Sequence, residues 1–166
     1  MAVRKSAKKP LKQSSSIIWD LGRAYFAYVG LLERVLVEEK LDHVLRPGMG
    51  VVLFALYEKD DVPIKELAEH SQLACSTLTG VLQRMQDAGL VVRYRDENDG
   101  RLVRVSLTAL GKKLKRKSFE VAQRMTDISE QGVGAENAAT CSQYLQGLTN
   151  IYRQEEMRLS SEATQK

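Results

Sequence analysis

The sequence predicts a mainly α-helical protein with one small β-hairpin. Three observations predict this fold class. Apolar residues recur at three- and four-residue intervals over most of the chain, which is the spacing of amphipathic helices. Two short runs rich in β-branched residues, Leu90 to Arg95 and Leu102 to Ser106, enclose a polar turn that contains a glycine. With 166 residues, 43% of them hydrophobic, the chain has the size of one globular domain, or of one domain with an extension.

The N-terminal part of the chain is predicted to hold a charged arm and a long helix. Residues 1–15 carry five basic groups and no acidic group, and without a periodic apolar face they are predicted to be disordered. Residues 16–45 form the next segment, in which apolar residues follow a helical period up to about Lys40. Arg46-Pro47-Gly48 ends this segment, and Pro47 is predicted at the first position of a second helix.

Two shorter helices are predicted next, from Ile64 to His70 and from about Cys75 to Ala88. A turn of about three residues, Ser71 to Leu73, joins them. Gly89 is the residue type that ends a helix in a left-handed conformation. Two helices joined by so short a turn form a helix-turn-helix.

The predicted hairpin follows directly, and its turn, residues 96–101, holds turn-forming residues and a glycine. Helix-turn-helix and hairpin together make a winged helix-turn-helix over residues 46–108. In this arrangement one helix enters the DNA major groove, the preceding helix braces it, and the hairpin reaches neighbouring phosphates or the minor groove.

The C-terminal part is predicted to be helical. Thr108 is expected to cap a helix from Ala109 to about Ser129 through its side-chain oxygen. The Gln-Gly-Val-Gly stretch at residues 131–134 is predicted to break that helix, and an apolar stripe from Cys141 to Tyr152 predicts a last one. The C-terminal helices are assigned to residues 109–159 and a tail to residues 160–166.

The distribution of charge points to a nucleic-acid partner. The net charge of +4 divides into +5 for residues 1–16, −4 for 17–73, +6 for 74–118 and −3 for 119–166. The first positive block could belong to a solvated arm, but the second lies within the predicted winged lobe. A basic block inside a folded region is typical of proteins that bind nucleic acid.

Several classes of protein are not predicted. The chain has no apolar run long enough to cross a bilayer and no apolar segment behind its basic N-terminus, so a cytoplasmic location without a membrane partner is expected. Two isolated cysteines, Cys75 and Cys141, and two histidines predict neither a metal site nor a disulfide framework. No phosphate-binding glycine loop, HExxH motif or nucleophile with a placeable base is present, so no catalytic residue, cofactor or enzymatic activity is predicted.

The helix from Cys75 to Ala88 carries the residues predicted to contact DNA. Its apolar stripe consists of Leu78, Val81, Leu82 and Met85. The polar residues left on the outer face are Ser76, Thr77, Thr79, Gln83 and Arg84. Short hydroxyl groups suit phosphates and bases, whereas Gln and Arg suit bidentate contacts to base edges. In the simpler alternative, Ser76 and Thr77 only support the helix start and Arg84 is a solvated charge.

The stretch from Ile64 to Leu114 resembles the MarR family of bacterial transcriptional regulators. Three motifs carry the resemblance: "ELA" with "STLT", "GLV" at the entry to the first strand, and "DxxDGR" followed by "VSLTALG". The flanking helices extend it over roughly Ser16 to Leu159. Any one of these motifs alone would be weak.

The resemblance implies a homodimeric, sequence-specific regulator, most often a repressor, that binds double-stranded DNA at an inverted repeat. The segments 16–45 and 109–159 would then form the dimerisation region. Asp99 and Arg101 would be the acid and the arginine of the wing: in the family, the arginine approaches the minor groove and the aspartate holds wing residues in place. In the family, a small-molecule effector often shifts the spacing of the DNA-binding lobes. The residues that could line its binding site here are Trp19, Tyr25, Tyr28 and His43.

Departures from the family pattern keep an alternative open. Gln72 and Ala74 stand where the family has a Gly and an Asp-like cap, and Gly80 stands where it commonly has Arg or Lys. The alternative is a winged-helix module for protein–protein contact without specific DNA binding. A redox switch at Cys75 is less favoured, because redox-sensing relatives keep their reactive cysteine in the first helix, where this chain has none.

Overall fold

A computed structural model of the chain describes residues 17–164. In this part the helices are α1 (Ile17–Glu38), α2 (Met49–Glu58), α3 (Ile64–Ser71), α4 (Cys75–Asp87), α5 (Ala109–Lys113), α6 (Lys115–Val133) and α7 (Ala135–Thr164). The strands are β1 (Val62–Pro63), β2 (Val91–Arg95) and β3 (Val103–Leu107). The chain divides into two compact units between Ser118 and Phe119. The predicted fold class, mainly α with a small β wing, is confirmed.

The sheet has three antiparallel strands in the order β1-β3-β2, whereas the sequence predicted a two-stranded hairpin. Val62 of β1 pairs with Val105, and Tyr94 of β2 pairs with Arg104. Two residues are too few for an alternating pattern, and Pro63 has no N–H to donate, so β1 could not be predicted from its composition. This strand joins the connection between α2 and α3 to the wing.

Helices α2, α3 and α4 pack on one another, and α4 packs against β2. The most buried side chains of these helices and of the adjoining sheet region include Leu53, Leu56, Leu67, Leu78, Leu82, Met85, Leu90 and Val105. All four apolar residues predicted for the buried stripe of α4 are within this core. The polar side of α4 therefore faces outward.

Pro47 and Gly48 form a turn and do not belong to α2. The Met49 N–H donates to the Arg46 carbonyl oxygen at 3.1 Å. Gly48 has a φ of +87°, in the region that favours glycine, as expected for the third residue of a type II turn. The prediction that Pro47 occupies the first helical position is wrong, because α2 begins at Met49.

The C-terminal helices differ from their predicted bounds. The helix predicted from Ala109 is interrupted at Leu114, and α6 then continues to Val133. Only Gly134, with a φ of +82°, separates α6 from α7. Helix α7 runs on to Thr164, through part of the segment assigned to a tail. None of the helices in residues 17–164 is long and apolar enough to cross a membrane, and the predicted arm, residues 1–15, lies outside the described residues.

Candidate nucleic-acid interface

Helix α4 presents all five polar residues predicted to contact DNA on its exposed side. Its N-cap residue, Ala74, has an extended backbone and no side chain that could cap the helix. Thr79 donates its hydroxyl to the Cys75 carbonyl oxygen at 2.8 Å, so this side chain is bound to its own helix. Ser76, Thr77 and Arg84 make no side-chain hydrogen bond or ion pair with any residue from 17 to 164. These three side chains are available to a ligand.

Gln83 is held by two neighbours. Its amide nitrogen donates to Asp87 Oδ1 at 2.8 Å, and its amide oxygen accepts from Arg93 Nη2 at 2.6 Å. The Nε of Arg93 also donates to Gln86 Oε1 at 2.6 Å. The amide retains one N–H and one lone pair, which is the pair of groups that a bidentate contact to a base edge requires. The contact between Gln83 and Arg93 could not be predicted from the sequence, because it joins a helix to a strand and depends on their packing.

The tip of the wing is shaped by its own acids. Asp96 Oδ1 accepts the N–H groups of Asn98 and Asp99, at 2.8 and 3.1 Å. Asp99 Oδ1 in turn accepts the Arg101 N–H at 3.0 Å. Such side-chain bonds to backbone two or three residues ahead stabilise turns. The carboxylates of Asp96 and Asp99 therefore support the backbone that carries Arg101.

The wing arginines differ in their contacts. Arg95 donates to the Gly100 carbonyl oxygen at 3.0 Å. Arg104 forms ion pairs with Asp61 and Asp96, with N–O distances of 2.8 and 3.0 Å. Arg101 is exposed, and its guanidinium makes no hydrogen bond or ion pair within the described part of the chain. Arg101 is thus the wing arginine best placed to bind an external anion.

Hydrogen bonds shift the acid–base behaviour of this cluster. The N–H groups of Asn98 and Asp99, followed by Arg104, hold the pKa of Asp96 below its ordinary value. Arg104 and the Tyr94 hydroxyl lower the pKa of Asp61. The same bond from Tyr94 raises the pKa of that phenol. Both carboxylates are therefore charged at neutral pH.

The candidate effector residues are not brought together within the chain. Trp19, Tyr25 and Tyr28 lie on α1 and are 53%, 60% and 48% exposed. At about 100° per residue, Trp19 and Tyr28 lie on opposite sides of this helix. His43 is exposed in the turns that follow α1. The effector site therefore stays a prediction.

Comparison with known proteins identifies the family. The model of the MarR family matches residues 47–103. The organic hydroperoxide resistance transcriptional regulator of Bacillus subtilis is 36% identical over 81 residues, which are 49% of this chain and 55% of that protein. The HTH-type transcriptional regulator FarR of Neisseria gonorrhoeae is 32% identical over 100 residues, which are 60% of this chain and 68% of that protein. The match thus spans only about half the length of the first relative.

The fold agrees with a solved structure. The PcaV transcriptional regulator from Streptomyces coelicolor, in complex with its natural ligand, matches with a TM-score of 0.73 at 20% identity. This match covers 86% of this chain and 97% of that one. The Bacillus subtilis and Neisseria gonorrhoeae relatives are both transcriptional regulators. Because the winged lobe matches the family model and FarR matches over two thirds of its length, the chain belongs to the MarR family of transcriptional regulators.

Proposed function

We propose that the protein is a homodimer that binds double-stranded DNA sequence-specifically at an inverted repeat and acts as a repressor. One observation carries this proposal. The outer face of α4 and the wing tip both present side chains that make no hydrogen bond or ion pair with any residue from 17 to 164, Arg84 and Arg101 among them. A helix for the major groove and a hairpin arginine for the neighbouring groove or phosphates are the two contacts that a winged helix makes.

The charge of this region supports the same partner. Residues 74–118 contain ten basic and four acidic residues, and two of the acids, Asp96 and Asp99, are bound to the wing backbone. The excess positive charge attracts the phosphate backbone and favours association at low salt. Ser76, Thr77, Thr79, Gln83 and Arg84 would then face the groove, with Asp99 supporting Arg101.

Exposed apolar side chains support the homodimer. In the first unit, helix α1 exposes Ile17, Ile18, Trp19, Tyr25 and Phe26. In the second unit, considered by itself, α7 exposes Tyr144, Leu145, Ile151, Tyr152 and Met157. Surfaces this apolar are typical of protein contacts. A two-fold dimer would also match the symmetry of an inverted repeat.

A small-molecule effector is the part of the proposal with the least support from this chain. The PcaV structure holds a natural ligand. By analogy, we propose that an effector binds between the first two helices and the winged lobe, near Trp19, Tyr25, Tyr28 and His43, and releases the DNA. Dissociation of the bound duplex on addition of a candidate compound would test this step.

The DNA-binding proposal is tested by selection from a random duplex pool. The bound fraction is sequenced, and binding of the enriched duplex is followed as salt is raised. We expect an inverted repeat with half-sites about one helical turn apart, and an affinity that falls steeply with salt. Recovery of no sequence, with no salt dependence, would contradict the proposal and favour a module for protein–protein contact.

A further inference from the structure

Arg104 bonds to two separate parts of the winged lobe. On one side, its Nε donates to Asp61 Oδ1 at 2.8 Å, and its Nη2 donates to the Asp61 carbonyl oxygen. On the other side, its Nη1 donates to Asp96 Oδ2 at 3.0 Å. Tyr94, the cross-strand neighbour of Arg104, donates its hydroxyl to Asp61 as well. Arg104 therefore joins the connection between α2 and β1 to the wing.

The bond to Asp96 reaches the wing tip. Asp96 is the least exposed carboxylate of this cluster, with 13% of its side chain accessible. One of its oxygens binds Arg104, while the other accepts the N–H groups of Asn98 and Asp99. Asp99 then accepts the N–H of Arg101. A continuous series of hydrogen bonds thus runs from Asp61 to the backbone of Arg101.

A two-stranded hairpin is marginally stable by itself and gains order from the elements that it contacts. At one end of this series, Asp61 belongs to the connection that follows α2. Helix α2 is itself anchored, because most of its side chains lie in the core. By bonding to both Asp61 and Asp96, Arg104 can therefore hold the exposed turn at the wing tip in a fixed position relative to that connection.

We propose that Arg104 is a positioning residue that fixes the wing tip, and with it Arg101, in the orientation needed for DNA, without itself touching the DNA. This inference rests on the proposed DNA-binding function. The wing then requires Asp61, Asp96 and Arg104, three residues outside the predicted DNA-binding set.

Charge-changing variants separate positioning from simple electrostatics. Removing a negative charge from a DNA-binding surface should strengthen binding, because fewer repulsions with phosphates remain. If Asp96 positions the wing, Asp96→Asn should instead weaken binding. Glu97→Gln is the matched control: it removes the same charge from the same turn, and Glu97 makes no hydrogen bond or ion pair within residues 17–164.

The experiment measures the dissociation constant of the full chain for the enriched duplex at several salt concentrations. We expect Asp96→Asn and Arg104→Leu to weaken binding by about tenfold and Glu97→Gln to leave it equal or tighter. Arg104→Lys should rescue only part of the loss, since one ammonium group cannot bind both carboxylates with the geometry of a guanidinium. Equal affinities for Asp96→Asn and Glu97→Gln would overturn the inference.

A second readout does not depend on DNA. Hydrogen exchange of the Asn98 and Asp99 amides should be about tenfold faster in Arg104→Leu and unchanged in Glu97→Gln. If the native chain selects no duplex, the proposed function fails, yet the exchange rates still show whether Arg104 orders the wing. Unchanged exchange at both amides would overturn the inference, and Asp96→Asn serves in its place if Arg104→Leu does not fold.

Discussion

Gly111 and Leu90 approach so closely that no side chain fits between them. A Cβ placed on Gly111 would overlap the carbonyl oxygen of Leu90 and would lie 3.1 Å from Leu107 Cδ2. The carbonyl of Gly111 also accepts the hydroxyl of the buried Tyr57 at 3.1 Å. The first turn of α5 is therefore seated directly on the residues where β2 begins and β3 ends.

We expect Gly111→Ala to destabilise the protein by about 1–3 kcal/mol, because the Leu90 backbone has to move to admit the methyl group. The free energy of unfolding in urea measures this loss. Gly80→Ala is the control for a glycine in a helix: the nearest atom to its Cβ would be Arg84 Nη1 at 3.7 Å. It should stabilise α4 by about 1 kcal/mol. Equal unfolding midpoints for the native protein and Gly111→Ala would show that the backbone at Leu90 can move aside for the methyl group without loss of stability.

Thr108 should be required for the same junction. Its hydroxyl donates to the Gly89 carbonyl oxygen at 2.6 Å and accepts the Gly111 N–H at 3.0 Å, which confirms the predicted cap. We expect Thr108→Ala to cost about 1 kcal/mol or somewhat more in urea unfolding, and Thr108→Ser to cost much less, because serine keeps the oxygen. Equal losses in the two variants would assign the effect to the methyl group instead.

Arg101→Ala should weaken binding of the enriched duplex by about tenfold and leave the oligomeric state unchanged by light scattering. The fold should not change, because the guanidinium of Arg101 has no partner among residues 17–164 whose contact the substitution would remove. Arg34→Ala, which removes the same charge from an exposed position on α1, should have a much smaller effect. An affinity equal to that of the native protein would remove the wing from the DNA-binding proposal.

The carboxylates around Arg104 should make stability depend on pH in acid. Because the folded-state pKa values of Asp61 and Asp96 lie below their ordinary value of 3.8, their contribution is present above that value and is lost as pH falls through the folded-state values. The double variant Asp61→Asn, Asp96→Asn should therefore lose less stability than the native protein between about pH 5 and pH 2. Urea unfolding across this range measures the free energy of unfolding of both proteins. If it falls equally with pH in the native protein and the double variant, the bonds of Asp61 and Asp96 do not contribute as expected.

Local patterns made much of the winged lobe predictable. The stripe of α4 follows the helical period, Gly89 adopts a left-handed conformation with a φ of +68°, and Thr108 caps α5, each because of a short-range rule. Strand β1 and the Asp61–Arg104 pair could not be predicted in this way. Asp61 and Arg104 are 43 positions apart in the chain, and only the register of the three strands brings them together.

The candidate site shows the same division. The exposed face of α4 follows from the period of its apolar residues, but the contacts of Gln83 depend on how β2 packs against that helix. The predicted effector residues share their aromatic or imidazole character, but a rotation of about 180° around α1 separates Trp19 from Tyr28. Spacing along α1 would have revealed this separation.

Under the proposed function, the two side-chain contacts of Gln83 limit how the DNA sequence preference of this protein could be redesigned. Exchanging Gln83 alone would remove one of the two acceptors of the Arg93 guanidinium, which keeps its bond to Gln86, and would take from the Asp87 carboxylate the amide that donates to it. A successful change of operator preference would have to alter Gln83, Asp87 and Arg93 as one set, on a helix and a strand at once. If the sequence of α4 alone were transferred to another winged helix, Gln83 would lose its contact with Arg93, which lies on β2.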